Sequence, residues 1–221
     1  MIGLGNPTAA YRATRHNFGF QTLDRWVASE EGKGRQSSGW KKARYADALE
    51  YRAQNGQILL KPQTYMNLSG GAVQAALHWW KLAVSDILVV VDDVALPLGR
   101  MRLRASGSCG GHNGLRSIES ALGTQAYPRL RLGIAPKAQQ ADQLEQQGVS
   151  ATETLEHKKE ACFSIQAGVS SRNLADFVLD RWAEHEMESV HRIQEEAVNI
   201  IQLCAKGGFE AARTRASHFK L

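Results

Sequence analysis

Five consecutive aliphatic residues at 87–91, ILVVV, form the strongest run of their kind in the chain, and they do not alternate with polar positions. A strand of that pattern is covered on both faces, so this segment is expected at the centre of a sheet. The run is expected to end in Asp92 and Asp93, and in open α/β sheets ligands bind in the crevice beyond the carboxyl ends of strands. Other segments supply the neighbours. Residues 1–4 read as the end of a strand, and two extended segments flank Gln54-Asn55-Gly56 as a hairpin. Residues 100–104 and 127–135 alternate arginine with apolar residues, as strands do. Helical spacing joins Phe20, Leu23 and Val27; Val73, Ala76, Leu77 and Trp80; Leu115, Ile118 and Leu122; and Val190, Ile193, Ala197, Ile200, Ile201 and Cys204, the last ending near Gly207-Gly208. Leu174, Phe177, Val178 and Trp182 suit a shorter helix. Residues 29–42 read as a polar surface loop, and 137–171, rich in Gln, Ala, Glu and Lys, interrupts the alternation of strands and helices.

Length and charge narrow the class. The 221 residues suffice for one domain with a substantial core, and 27 Lys and Arg against 22 Asp and Glu, a formal charge of +5, favour a polyanionic partner without requiring one. Cys109, Cys162 and Cys204 are odd in number and widely spaced, which indicates neither a disulfide framework nor a zinc site. No run of 18 or more apolar residues and no signal-peptide pattern occurs, so a soluble intracellular protein is expected.

Candidate chemistry lies at element ends. Asn6 sits in the turn GLGNP, where an asparagine also serves to bond its own backbone; His16 lies just before or within the first turn of the helix in ATRHNFGF, where a structural histidine would look the same. Arg15 and Asn17 beside it look equally ordinary. In KPQTYMNLSGG, Tyr65, Met66 and Asn67 occupy a strand-to-helix loop, and Ser69 is a candidate helix cap. Arg100, Arg102 and Arg104 share one strand face, and Arg129 and Arg131 another, suited either to phosphates or to a charge-guarded edge. The glycine-rich ASGSCGGHNG at 105–114 permits close approach to a ligand, but neither a dinucleotide fingerprint, a phosphate loop nor a GxSxG elbow is present.

Taken in order, GLGNP, TRHNFGF, KPQTYMNLSG, the DD followed by LPLG, and GGHNGLRSI resemble bacterial peptidyl-tRNA hydrolases over residues 1–136, and the likeness resumes at ADFVLDRW from Ala175. The resemblance implies an α/β fold, a single-domain mixed, partly parallel sheet with helices on both faces spanning 1–221, with a family-atypical insertion around 137–171. It implies hydrolysis of the ester between an N-blocked peptide and the 3′-terminal ribose of tRNA, in a cytoplasmic monomer without metal or cofactor. By residue it implies His16 as general base, Asp92 as its carboxylate and Asn6 as the amide recognising the blocked peptide end. Tyr11, Tyr65, Asn67 and Asn113 match substrate-contacting positions, with Met66, Gly110 and His112 lining the cleft; Arg102, Arg104 and Arg131 match basic positions for tRNA phosphates. A neutral histidine takes a proton from water, and a carboxylate holds its tautomer.

The chain departs from the pattern at three places. Its apolar lead before GLGNP is short by about three residues, which points to an incomplete start or shifted initiation. Thr8 follows Pro7 where glycine is usual, and Ala95 replaces a second acidic residue. The competing expectation is a non-catalytic RNA-binding protein on the same fold, resembling splicing factors. A pure binder needs positive charge and shape rather than a base with its carboxylate, so the joint presence of His16, Asp92, Asn6 and Asn113 weighs against it.

Overall fold

The computed structural model describes residues 1–31, 39–53, 55–136 and 171–221. Among these, seven strands form one sheet: β1 (Ile2–Gly3), β2 (Lys41–Lys42), β3 (Ala48–Arg52), β4 (Ile58–Pro62), β5 (Val89–Pro97), β6 (Met101–Arg104) and β7 (Arg129–Ala135), in the order β2-β3-β4-β1-β5-β7-β6. The four central strands, β4, β1, β5 and β7, are parallel, while β2 and β3 on one side and β6 on the other add antiparallel edges. The hairpin expected at Asn55-Gly56 joins β3 to β4, with Gly56 at φ +83°, a left-handed conformation that glycine adopts without Cβ strain.

Among the described residues six α-helices accompany the sheet: α1 (Phe18–Glu31), α2 (Ser69–Trp80), α3 (Asn113–Leu122), α4 (Ser171–Leu179), α5 (Met187–Ala205) and α6 (Phe209–His218). The non-alternating run at 87–91 now has its explanation. Leu88 and Val90 enter a core with Phe18 and Leu23 of α1 and Ile193 and Ile200 of α5, while Val89 and Val91 enter a second core with Val73 of α2 and Leu115 and Ile118 of α3. Consecutive strand residues face opposite ways, so a strand covered on both faces must be apolar throughout. The C-terminal tail packs onto the fold through its apolar residues. Helix α6 buries Ala212 and Ala216, Phe219 and Leu221 pack against the first core, and Arg215 pairs with Glu196 of α5 through both of its carboxylate oxygens.

Several expectations need correction. The central strand does not end at Asp92-Asp93: β5 continues to Pro97, because β7 goes on pairing with it through Asp93↔Gly133 and Pro97↔Ala135. What ends is its other neighbour, since β1 pairs Gly3 with Val90 and then leaves the sheet. Ser69 does not cap α2; it is the first helical residue, and its hydroxyl donates to the Met66 carbonyl at 2.9 Å, closing the preceding turn. The polar stretch expected as a loop contributes the last residues of α1 and the two-residue edge strand β2. Trp182 lies beyond α4 rather than on it. The expected insertion at 137–171 lies, except for Ser171, outside the described residues.

Candidate active site

Where β1 stops, one edge of β5 is left open, and the connections that follow these two strands depart on opposite faces: β1 leads to α1, and β5 by way of β6 to α3. This is the geometry at which α/β sheets bind ligands. Asp92 lies on the stretch of β5 that β1 no longer pairs, and is itself only 3% exposed.

The turn between the GLGNP loop and α1 aims at that carboxylate. Residues Arg15–Asn17 form a 3₁₀ turn ahead of α1, and all three are buried. At three residues per turn, successive side chains point about 120° apart. They meet three different partners. His16 reaches Asp92, its Nδ1 lying 3.0 Å from Oδ2 and 3.2 Å from Oδ1. Asn17 donates from Nδ2 to the Asn6 carbonyl at 2.9 Å and accepts from the Asn6 amide at 2.8 Å. Arg15 points away, to Glu186. Gly19 lets α1 come this close to the strand ends, since a Cβ there would meet the Val90 carbonyl oxygen at 2.4 Å and the Leu4 amide at 2.5 Å.

Asp92 serves a second imidazole. His112, the N-cap of α3, accepts from the Gly114 and Leu115 amides at Nδ1, at 3.1 and 3.3 Å, so its hydrogen resides on Nε2, which lies 3.0 Å from Asp92 Oδ1. The two rings are 4.8 Å apart between centroids. Burial opposes ionisation of Asp92, but His16 and His112 outweigh it and hold the carboxyl well below the usual carboxylate range. For His16 burial disfavours the imidazolium, yet the charge and hydrogen bond of Asp92 prevail and its pKa rises above 6.5. An ionised Asp92 requires hydrogen on His16 Nδ1, which leaves Nε2 with a free lone pair.

Ligand atoms of His16, Asp92 and His112 all lie within 4.8 Å of one another, a spacing open to a metal ion. The donor set does not fit one. His112 can offer Nε2 only by losing the hydrogen that its capping role at Nδ1 assigns there, and Asp92 is engaged at hydrogen-bond distance by both rings.

Asn6 completes the constellation. Its Oδ1 accepts from the Met66 amide at 2.9 Å, which fixes the side-chain orientation and leaves Nδ2 for another partner. Met66 itself is core, 4% exposed.

A peptidyl-tRNA hydrolase family model matches residues 1–158. The chain belongs to the peptidyl-tRNA hydrolase family. A peptidyl-tRNA hydrolase of Synechococcus sp. (strain JA-2-3B'a(2-13)) is 37% identical over 97% of this chain and 81% of that protein, and one of Synechocystis sp. (strain ATCC 27184 / PCC 6803 / Kazusa) is 50% identical over 61% of this chain and 68% of its own. A crystal structure of the peptidyl-tRNA hydrolase from Acinetobacter baumannii is similar with a TM-score of 0.75 at 26% identity, covering 99% of this chain and 94% of that one.

Against the peptidyl-tRNA hydrolase pattern, the remaining expected residues divide. Tyr65 is 52% exposed, and Asn67, Gly110 and Asn113 are also exposed around the site, with Tyr11 half-buried. Among the described residues no hydrogen bond joins these five to His16, Asp92 or Asn6; Asn113 Oδ1 accepts instead from Arg116 at 3.2 Å. The two arginine strands are neighbours, with Arg102 opposite Arg131 and Arg104 opposite Arg129. Arg102 and Arg104 are exposed. Arg131 is partly covered and lies 2.9 Å from Asp93 Oδ2, so the second aspartate faces away from His16 and serves this ion pair. Burial pushes the Asp93 carboxyl up, with Arg131 and the Ala95 amide opposing. Arg129 does not share an open arginine face: it is 1% exposed, stacked at 4.0 Å on the Tyr127 ring and bonded to the Gln125 carbonyl at 2.9 Å. Sequence reasoning passed over Arg15 and Asn17. Their one signal was position, three consecutive polar residues running directly into the fully buried Phe18.

Proposed function

We propose that this chain hydrolyses peptidyl-tRNA with His16 as the general base. The observation that carries the reading is the orientation of His16: Nδ1 is committed to a buried, ionised Asp92, and Nε2 is left to take a proton. Water, relieved of its proton by Nε2, attacks the ester carbonyl carbon, and the buried carboxylate stabilises the imidazolium that forms. The bond from that carbon to the 3′-terminal ribose oxygen then breaks. The imidazolium returns its proton to this oxygen, giving a free peptide carboxyl and a tRNA hydroxyl.

The Asn6 Nδ2 group, held by the bond from Met66 to Oδ1, supplies a neutral donor for a carbonyl of the blocked peptide end. In this reading Tyr11, Tyr65, Asn67, Gly110 and Asn113 contact the substrate, and Arg102, Arg104 and Arg131 hold the acceptor-stem phosphates. The chain acts as one domain, as a monomer and in the cytoplasm; among the described residues no helix is long and apolar enough to cross a membrane. A pure RNA binder has no use for a base aligned on a buried carboxylate. Comparing hydrolysis of N-acetylated with free aminoacyl-tRNA tests the function. Rapid release from the blocked substrate alone is expected, and equal inertness of both would overturn the reading.

A further inference from the structure

The first residue of the turn that carries His16 reaches a different part of the chain. Arg15 is 8% exposed, and its guanidinium donates from Nη2 to Glu186 at 2.8 Å and from Nη1 to the Arg181 carbonyl at 2.9 Å. Its Cζ lies 4.7 Å from the Phe177 ring centroid and 5.3 Å from that of Trp182. The backbone joins in, for the Arg15 amide donates to the Asp180 carbonyl at 3.0 Å and Thr14 bridges Arg181. This strap, residues 177–186, is itself stiff. Glu186 Oε2 also accepts from the Ala183 amide at 2.7 Å, and Trp182 packs edge-on against Phe18 and donates to Gln21 of α1 at 3.0 Å.

Resting on the assignment of His16 as base, we infer that Arg15 is a positioning residue, through which the strap 177–186 sets the alignment of His16 on Asp92. The turn is a rigid three-spoked piece, with one side chain bonded to β5, one to the GLGNP loop and one to the strap. Rotation about its axis moves all three spokes together, so releasing the Arg15 spoke swings the imidazole relative to a carboxylate that β5 holds still. Lysine cannot replace this arginine. One ammonium cannot present a planar fork to a carboxylate and a carbonyl together while also packing a flat face against aromatic rings.

The experiment measures kcat, Kd for tRNA and thermal midpoint for the wild type, Arg15→Lys, Glu186→Gln and Asp92→Asn, and for each of the first two variants combined with Asp92→Asn. Both strap variants are expected to lower kcat by about 10- to 100-fold, the scale of a small misplacement of a catalytic group, with Kd for tRNA changed less than threefold. In the Asp92→Asn background the same substitutions should cost much less, because the alignment they serve is already lost. Ile200→Val, a fully buried core change remote from the turn, provides a folded reference of lowered stability.

A kcat loss that is additive with Asp92→Asn, or that simply tracks the thermal midpoint as in Ile200→Val, would reduce Arg15 to a structural residue and overturn the inference. Unchanged kcat in a folded Arg15→Lys protein would overturn it too. Should Arg15→Lys fail to fold, Glu186→Gln, which keeps size and an acceptor, decides alone. His16→Ala separates the two readings: if it retains turnover, the base assignment falls, whereas its inactivity beside a fully active Arg15→Lys condemns only the role of Arg15.

Discussion

Asn17 holds Asn6 by both ends of its backbone, donating to its carbonyl at 2.9 Å and accepting from its amide at 2.8 Å. An asparagine does this because its amide donates and accepts side by side, as a strand edge does. The consequence is that the proposed base and the residue proposed to read the peptide are one mechanical unit, since Asn17 follows His16 in the same turn.

Replacing Asn17 with alanine therefore strands two buried backbone groups, at about 1–3 kcal/mol each before relaxation or water entry. A lower urea midpoint and a reduced kcat/KM are expected together. Asn17→Asp keeps the acceptor but opposes a carboxylate to the Asn6 carbonyl, and should be at least as damaging to turnover. Normal turnover in either variant would show the grip to be incidental to the site.

His16→Ala should remove about 10²- to 10⁴-fold of kcat, the usual worth of a positioned general base. Binding of deacylated tRNA should be nearly unaffected, because the imidazole handles water rather than phosphate. Retention of near wild-type turnover at neutral pH would end the assignment.

The pH profile follows from the neighbours of His16, which are Asp92 and the His112 ring. With its pKa raised above 6.5, the base is protonated and idle at low pH, so kcat/KM should rise through a midpoint above 6.5. Asp92→Asn removes the charge that raises this pKa while burial, which lowers it, remains. Lower turnover across about pH 5–9 with the midpoint displaced toward acid is expected; a profile neither lowered nor displaced would return Asp92 to the status of an ordinary strand residue. The stability linkage has the opposite sense. The His16 contribution is fully present below its unfolded pKa near 6.5 and is lost as pH rises through the folded value, while the Asp92 contribution is present above 3.8 and lost as pH falls through its folded value. The pair thus steadies the fold most between 3.8 and 6.5, where the base works least.

Arg102→Ala and Arg104→Ala should each weaken tRNA binding and flatten the salt slope by roughly 0.7 to 0.9 for every phosphate left without its cation. Arg131→Ala should do this and also lower thermal stability, because it leaves the buried Asp93 without its ion-pair partner. If none of the three changes the slope, the arginines guard a solvated edge. Titrating binding against salt, with a thermal melt beside it, separates these outcomes.

The sequence alone determined that residues 87–91 form an interior strand buried on both faces, though not that β1 takes the middle place of the seven, and it determined the helix faces and the family motifs, because each is a local pattern whose period or composition survives in any context. His16, Asp92 and Asn6 stood out as candidates through their motifs, and the structure brings the first two into contact. The family motif pointed to Asp92, and the tertiary structure supplied the reason its neighbour cannot serve: a strand sends consecutive side chains to opposite sides, so Asp92 meets His16 while Asp93 meets Arg131. Only the tertiary structure decided that Arg129 is buried and Arg104 exposed although both look alike in an alternating strand, because the Tyr127 ring and the Gln125 carbonyl take up the Arg129 guanidinium. It alone brought His112 to the carboxylate of His16 and Glu186 to Arg15, His112 lying 20 positions from Asp92 and Glu186 lying 171 from Arg15 along the chain. Such contacts are made by closure of the fold, and no local period carries them.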